Sequence, residues 1–589
     1  MENAETEQAQ LLKVVPTVHV GIAGHRVLPT EAQERIIRQV REVLAEVQCT
    51  ARKLMAEQGS TLPQGCVNGE PRFRLLTPLA EGADRLAARE ALALGYSLQC
   101  PLPFSRAFYE STFTSDDAEH TEFRELLGKA ESVLELAGSN EGFTSQAYAD
   151  VGSIVVNHAD FLLAIWDGKP NRYIAGTYAT VKQALRRHIP VIVIDATAGQ
   201  APIAYREDAT SHENWKEALR DHLQRCLFPR SADGEEVKLF PLPQIKKHHL
   251  RVWLRGLEKL LLGKENASKS LPPRADEPAA PPPASALWME RKQCFSAVVA
   301  EMAAAYRNLL TGRLLFPLLA TVFLTLALAS AGLPLLRMVF FALQVLCLLL
   351  SLLQVVWDRF ARYHRRFLCY RVLAELCRQT AFLYPVGFAD VRFRHRTDRK
   401  PDGSDITAWY YRMLLREQGL PAATLTHADL KHWLLWLRQK LLEPQQRYHD
   451  NRARRCNILQ TKLGLMSVCL FTLGLCATLI RAWMGSMEGD GYAAWLPLFA
   501  SLALIFPPAA VFFSSISQNA GYPAHSAASR NMGDFFRAMI ADADTLLQKP
   551  EGEIDYSDIL RICEEIDLCC REELSEWEDV IRSKPLKWV

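Results

Sequence analysis

At 589 residues the chain is too long for a single hydrophobic core, so two or three domains are expected from length alone. A formal net charge of +2, from 68 Lys and Arg against 66 Asp and Glu, lacks the basic excess of a nucleic-acid-binding protein. The 14 cysteines are scattered, some inside apolar runs and none at zinc-ligand spacing, so neither a disulfide framework nor a metal or cofactor is expected.

Residues 1–10 are polar and acidic, and no signal peptide is expected ahead of the first domain. From 14 to 195 short apolar runs alternate with amphipathic stretches. They predict strands at 17–22, 73–77, 97–102, 132–136, 161–166 and 191–194, and helices at 31–57, 82–94, 147–158 and 177–187. This alternation implies a mostly parallel sheet covered on both faces: an α/β doubly wound, Rossmann-like domain over 14–200.

In such a sheet ligands sit at the carboxyl ends of the strands, where helix N-termini present N–H groups to anions. Four segments carry the right punctuation. In Gly21-Ile22-Ala23-Gly24-His25-Arg26, glycines admit a ligand close to the backbone and Arg26 offers a planar fork to phosphate. The others are Glu81-Gly82-Ala83-Asp84, Trp166-Asp167-Gly168 and Gly176-Thr177. Each alone also reads as an ordinary turn or helix start. Because all fall at one end of the sheet, they nominate Gly21, Gly24, His25, Arg26, Glu81, Gly82, Asp84, Trp166, Asp167, Gly176 and Thr177 as ligand-binding residues.

A polar helical extension (201–265) and a proline-rich spacer (266–286) follow. Residues 287–390 hold two apolar runs, about 314–333 and 337–357, and residues 439–589 hold two more, about 463–483 and 493–513. Each has the ~20 residues that cross a bilayer as a helix. Basic residues crowd the outer flanks, for example Arg291, Arg313, Arg452 and Arg455. By the positive-inside rule both termini and the long connections face the cytoplasm, and the chain is a multi-pass membrane protein. Between the hairpins, 391–438 is expected to be helical and to serve as a stalk. Small and polar residues recur at helical spacing as Gln344, Ser351 and Gln354 in the second run and as Ser467, Gly474 and Thr478 in the third. Such stripes serve close helix packing or line a path between subunits. No run carries a central acid or base, which disfavours a proton-coupled carrier.

The GIAGHR, LAEGAD, DFLLAIWDG and AGT segments resemble the SLOG superfamily, relatives of DprA and of the LOG nucleotide phosphoribohydrolases. The resemblance implies a nucleotide-derived ligand around Gly24, Arg26, Glu81, Gly82, Asp167, Gly176 and Thr177. Catalytic LOG members carry GGxGTxxE; here Thr180 stands at the glutamate position, so binding without catalysis is expected. The lead-in helix, two spans, return helix and acidic C-terminal helix over 439–585 resemble SLATT membrane effectors, with the first hairpin as a diverged copy. Together these resemblances imply an antiphage effector in a bacterial inner membrane. Such an effector senses a cyclic oligonucleotide or NAD-derived messenger made by a neighbouring synthase and oligomerises into a pore or membrane-disrupting assembly. The alternatives from the residues are a membrane-anchored nucleotide N-glycosidase and a constitutive channel or scaffold.

Overall fold

The computed structural model describes residues 11–229 with breaks at 63–65, 68, 114–116, 139–143, 171, 198, 206–210 and 213, then 261, 280–390 except 331 and 362, 406–486, 495–550 and 553–582. Most of the expected extension and of the proline-rich spacer lies outside the described residues.

Six parallel strands form the centre of the sheet: β1 (Thr17–Gly24), β2 (Arg72–Leu76), β3 (Ser97–Leu102), β4 (Ala130–Glu135), β5 (Phe161–Trp166) and β6 (Val191–Asp195). Their order is β4-β3-β2-β1-β5-β6, so the winding reverses between β1 and β5. That reversal opens a crevice at the carboxyl ends of these two strands. β5 reads FLLAIW with only its last residue partly exposed, as a strand covered on both faces requires. The covering helices are α1 (Thr30–Gln58), α2 (Ala83–Ala93), α3 (Arg106–Ser111), α4 (Asp117–Gly128), α5 (Thr144–His158), α6 (Thr177–Arg186) and α7 (Trp215–Leu227). α1 buries Ile36, Val40, Val43, Leu44, Val47, Ala51 and Leu54, one face at helical spacing. Two short antiparallel strands, β7 (Ile203–Tyr205) and β8 (Ser211–His212), extend the β6 edge.

The second half is helical: α8 (Ala286–Ala329), α9 (Pro334–Ala361), α10 (Tyr363–Leu383), α11 (Ile406–Gln418), α12 (His427–Leu437), α13 (Glu443–Ser486), α14 (Leu496–Asn519), α15 (Tyr522–Leu547) and α16 (Tyr556–Arg582). A π-turn at Arg438–Leu442 joins α12 to α13. Among the described residues four stretches are long and apolar enough to cross a membrane, in Thr311–Ala329, Pro334–Trp357, His427–Gly485 and Leu496–Leu547. Each hairpin unit has a 44-residue helix followed in the chain by a second apolar helix and then by a more polar one, α10 or α15. The hairpins are not separate, since α8 packs against α14 as well as α9.

Residues 391–438, expected as a stalk, are built into the α/β core where they are described. β9 (Ala423–Thr424) pairs in parallel with β4 and closes the far edge of the sheet. α11 packs against β1. The Arg74 guanidinium donates to the carbonyls of Arg416 and Glu417 at 2.7 and 2.8 Å, satisfying C-terminal carbonyls of α11. Arg416 in turn donates to the fully buried Asp160 carboxylate at 2.6 Å. One hydrophobic cluster therefore runs from Val18 on β1 to Ile566 on α16.

Candidate functional site

Four loops meet at the crevice. After β1, the His25 amide donates to the Ile165 carbonyl of β5 at 3.2 Å, bending the chain across the top of its neighbour. The His25 ring lies 3.3 Å from the Asp167 carboxylate, and its Nε2 takes the Asp167 amide at 3.2 Å. Desolvation is the largest single influence and raises it, but the Lys169 amide, the His25 ring and the Lys169 charge together hold the Asp167 carboxyl below its usual range.

The Glu81-Gly82 turn closes on the same loop. Ala83 donates its amide to the His25 carbonyl at 3.1 Å. Gly82 has φ +79°, and a Cβ there would stand 2.1 Å from the Arg26 carbonyl oxygen, so only glycine fits. Gly24 has the matching role, since its Cβ would meet that of Ala83 at 2.3 Å. Glycines at both positions bring the first turn of α2 against the end of β1.

Arg26 is the crevice cation. Its guanidinium lies 4.9 Å from the centre of the Tyr148 ring on α5. Desolvation opposes its charge, but Tyr148, Tyr109 and Glu81 together raise its pKa above the usual arginine value. Asp84 is buried beneath it and accepts from the Ala80 amide at 3.3 Å. Burial pushes the Asp84 carboxyl up to about 7, outweighing that hydrogen bond and the fields of Arg26 and Arg85. The crevice floor therefore holds a carboxyl that is half-protonated near neutral pH.

Trp166 ends β5, fixed by its indole N–H donating to the Lys169 carbonyl at 3.2 Å, with its ring 5.9 Å from that of Tyr178. Tyr178 lies in the first turn of α6. Gly176, the N-cap, has φ +102° and no atom near the place of a Cβ, which leaves the approach to this helix start open. The amides of Thr177 and Tyr178 have no carbonyl to receive them within the helix. Thr177 itself is buried, and Thr180 turns its hydroxyl back to the Gly176 carbonyl at 3.1 Å.

The structure thus gathers Gly24, His25, Arg26, Gly82, Asp84, Trp166 and Asp167 at one crevice, with Glu81 beside Arg26 and the Gly176–Thr177 helix start on its rim. Gly21 lies lower on β1, where a Cβ would come within 2.9 Å of Ala159; its role is close packing of α5 on the strand. Tyr148 and Tyr178 are additional crevice residues that the strand-end motifs did not mark, and the fully buried Tyr109 ring packs 6.2 Å from that of Tyr148. The signal for Tyr148 and Tyr178 was positional, because the first turns of helices that follow parallel strands open at the same end of the sheet. Arg85 points away from the crevice. It donates to the Leu79 carbonyl and to Glu119 and sits over Phe113 at 4.4 Å, tying α2 to α4. Among the described residues no cluster of His, Cys, Asp and Glu is suited to a metal ion.

The polar stripes of the apolar helices face inward. Gln354 packs on Gly312 of α8, where a Cβ would fall 2.2 Å from its amide nitrogen. Gln344 and Ser351 share that half-buried side of α9, whereas Leu348, Leu349, Leu352 and Leu353 are exposed. Ser467 donates to the Ala510 carbonyl of α14 at 2.9 Å, and Gly474 lets Pro507 approach to 3.0 Å from its Cβ position. Thr478 donates to the Gly474 carbonyl at 2.8 Å. In this conformation Gln354, Ser467, Gly474 and Thr478 meet partners of their own chain, and Leu-rich faces point outward.

Fold and site together define a class: a parallel α/β domain with a crevice at its topological switch point, joined through one core to a helical part with four membrane-length apolar helices. No known protein family matches the chain, and no curated protein matches it in sequence.

Proposed function

We propose that the protein is a membrane-embedded nucleotide sensor whose four apolar helices act on the bilayer when the crevice is filled. The observation that carries this reading is the convergence of four loops from three separate stretches of the chain at the β1/β5 switch point. They supply one arginine held against a tyrosine ring, two glycines that admit close backbone approach, and an open helix N-terminus. That combination suits a phosphate-bearing ligand. The resemblance of these loops to SLOG proteins narrows the ligand to a nucleotide messenger, cyclic oligonucleotide or NAD-derived, made by a synthase encoded nearby. The resemblance of the second unit to SLATT effectors favours action in a bacterial inner membrane, as abortive antiphage defence by a homo-oligomer.

Trp357, Trp483 and Trp495, all exposed near the ends of the apolar helices, match the anchoring positions at a membrane interface. The polar stripes are internal to each hairpin, so a pore forms only when the helices exchange these contacts for contacts between copies. The glycosidase alternative rests on Asp84, whose pKa of about 7 suits proton transfer. It is the weaker reading, because Thr180 replaces the LOG glutamate and its hydroxyl is used within α6.

The test is dye release from liposomes that contain the full chain, with ADP, ATP, NAD and cyclic di- and trinucleotides added in turn. Nucleotide-dependent release supports the sensor. Release of free base from these nucleotides supports the glycosidase, and leakage that is unaltered by every nucleotide favours the constitutive channel.

A further inference from the structure

The crevice and the two helical units share one element. α5 is 15 residues long, and Tyr148 to His158 spans about 15 Å along its axis. At its upper end Tyr148 lies against Arg26. Beside it, Gln146 and Asp150 line a cavity with Asp555 and Tyr556, at the start of α16 in the second unit. Tyr556 crosses this joint and donates to the Val386 carbonyl at 2.6 Å, just after α10 of the first unit. At the lower end His158 Nε2 meets the Gly387 carbonyl at 2.9 Å. Arg187, at the end of α6, clips Asn157 of α5 to Glu564 of α16.

We propose that α5 is the transmission bar between the crevice and the membrane helices. An anion that pairs with Arg26 draws the guanidinium from the Tyr148 ring, and the altered seating of α5 passes to residues 386–387 and to the first turns of α16. Both hairpin units receive the signal because His158 of α5 meets Gly387 directly and α16 packs on α5 and is bridged to it by Arg187. Linkage makes the coupling reciprocal: rearrangement of α16 changes affinity in the crevice by the same factor. The proposal rests on the crevice being the ligand site, and its test separates the two ideas.

Hydrogen–deuterium exchange of the full chain in detergent is compared with that of Arg26→Ala. The expected result is faster exchange in α5, in 384–390 and in 556–566, by about two- to fivefold, the scale of one cation–π contact at a partly exposed site. Exchange in α1 stays unchanged, which controls for the fold. A change confined to 24–27 and 82–84 overturns the proposal. Glu564→Ala, remote from the crevice, provides a second arm with ADP as probe: ADP still binds but its effect on exchange in α16 is reduced, because one link between α5 and α16 is cut, and an undiminished effect overturns the proposal. If Arg26→Ala alters α16 while the wild-type chain binds no ADP, ATP or NAD, transmission stands and the ligand reading falls. If a nucleotide binds and alters nothing beyond the crevice, the ligand reading stands and transmission falls.

Discussion

Replacing Arg416 by methionine tests whether the segment between the hairpins is a structural member of the α/β core. The Arg416 and Asp160 side chains are 3% and 0% exposed and 2.6 Å apart. Asp160 also takes the His19 amide at 2.9 Å, and Arg416 donates to the Cys226 carbonyl at 3.3 Å. Burial opposes the Asp160 charge, but Arg416 and His19 hold its pKa below the usual carboxylate range. Removing the arginine leaves a carboxylate in the core without its counter-charge, which costs about 3–5 kcal/mol. At roughly 2–4 °C per kcal/mol for a domain of this size, Tm falls by about 10 °C. The assay is thermal unfolding of the detergent-solubilised chain by intrinsic fluorescence. Adding Asp160→Asn to Arg416→Met removes the stranded charge and recovers part of the loss. A single variant within about 2 °C of wild type, or a double variant that loses the full sum of the singles, rules out a core ion pair between the two segments.

Three further outcomes follow from the geometry. Asp84→Asn stabilises the fold above pH 7 by up to about 4 kcal/mol, since the carboxyl is raised from 3.8 to about 7 and each unit is worth about 1.4 kcal/mol. A raised folded pKa means the cost is absent below pH 3.8 and complete above pH 7, so the difference in Tm must shrink on acidification. Gly82→Ala forces a Cβ against the Arg26 carbonyl and a left-handed conformation on alanine, so Arg26 moves and anion binding drops at least about tenfold; equilibrium dialysis with ADP checks it. Gly474→Leu wedges α13 from Pro507 of α14, lowering the Tm of the detergent-solubilised chain by several degrees, and an unchanged Tm would show that the two helices do not meet there.

The strands of the α/β domain were legible because fully buried parallel strands are continuous apolar runs bounded by helical periodicity; β3 and β5 fall at their predicted bounds. β9 left no such trace. It has two residues, Ala423 and Thr424, and joins the sheet nearly 290 positions after β4, so only tertiary pairing defines it. α4 was missed because its exposed face is polar and charged and only Phe123, Leu126 and Leu127 are buried. The crevice was legible where backbone chemistry demanded glycine, at Gly24, Gly82 and Gly176. Gly21 carried the same signal for a different cause, helix packing. Tyr148 carried only the positional signal of a helix start after a parallel strand, and nothing local to a tyrosine tells which loop its ring will face. The helical stripes were legible as faces, but a sequence cannot distinguish a face turned to its own hairpin from one turned to another copy; Gln354 packs on Gly312 and Ser467 on Ala510 within their own hairpins.

Nucleotide binding through Arg26 is the step on which the sensor reading stands. Equilibrium binding of labelled ADP, NAD and cyclic oligonucleotides to the full chain and to Arg26→Ala tests it without any assumption about the membrane. Saturable binding of at least one of them is expected, weakened about tenfold or more in the variant by the loss of one charge-assisted hydrogen bond. Binding of none of them, or equal binding by both proteins, would contradict it.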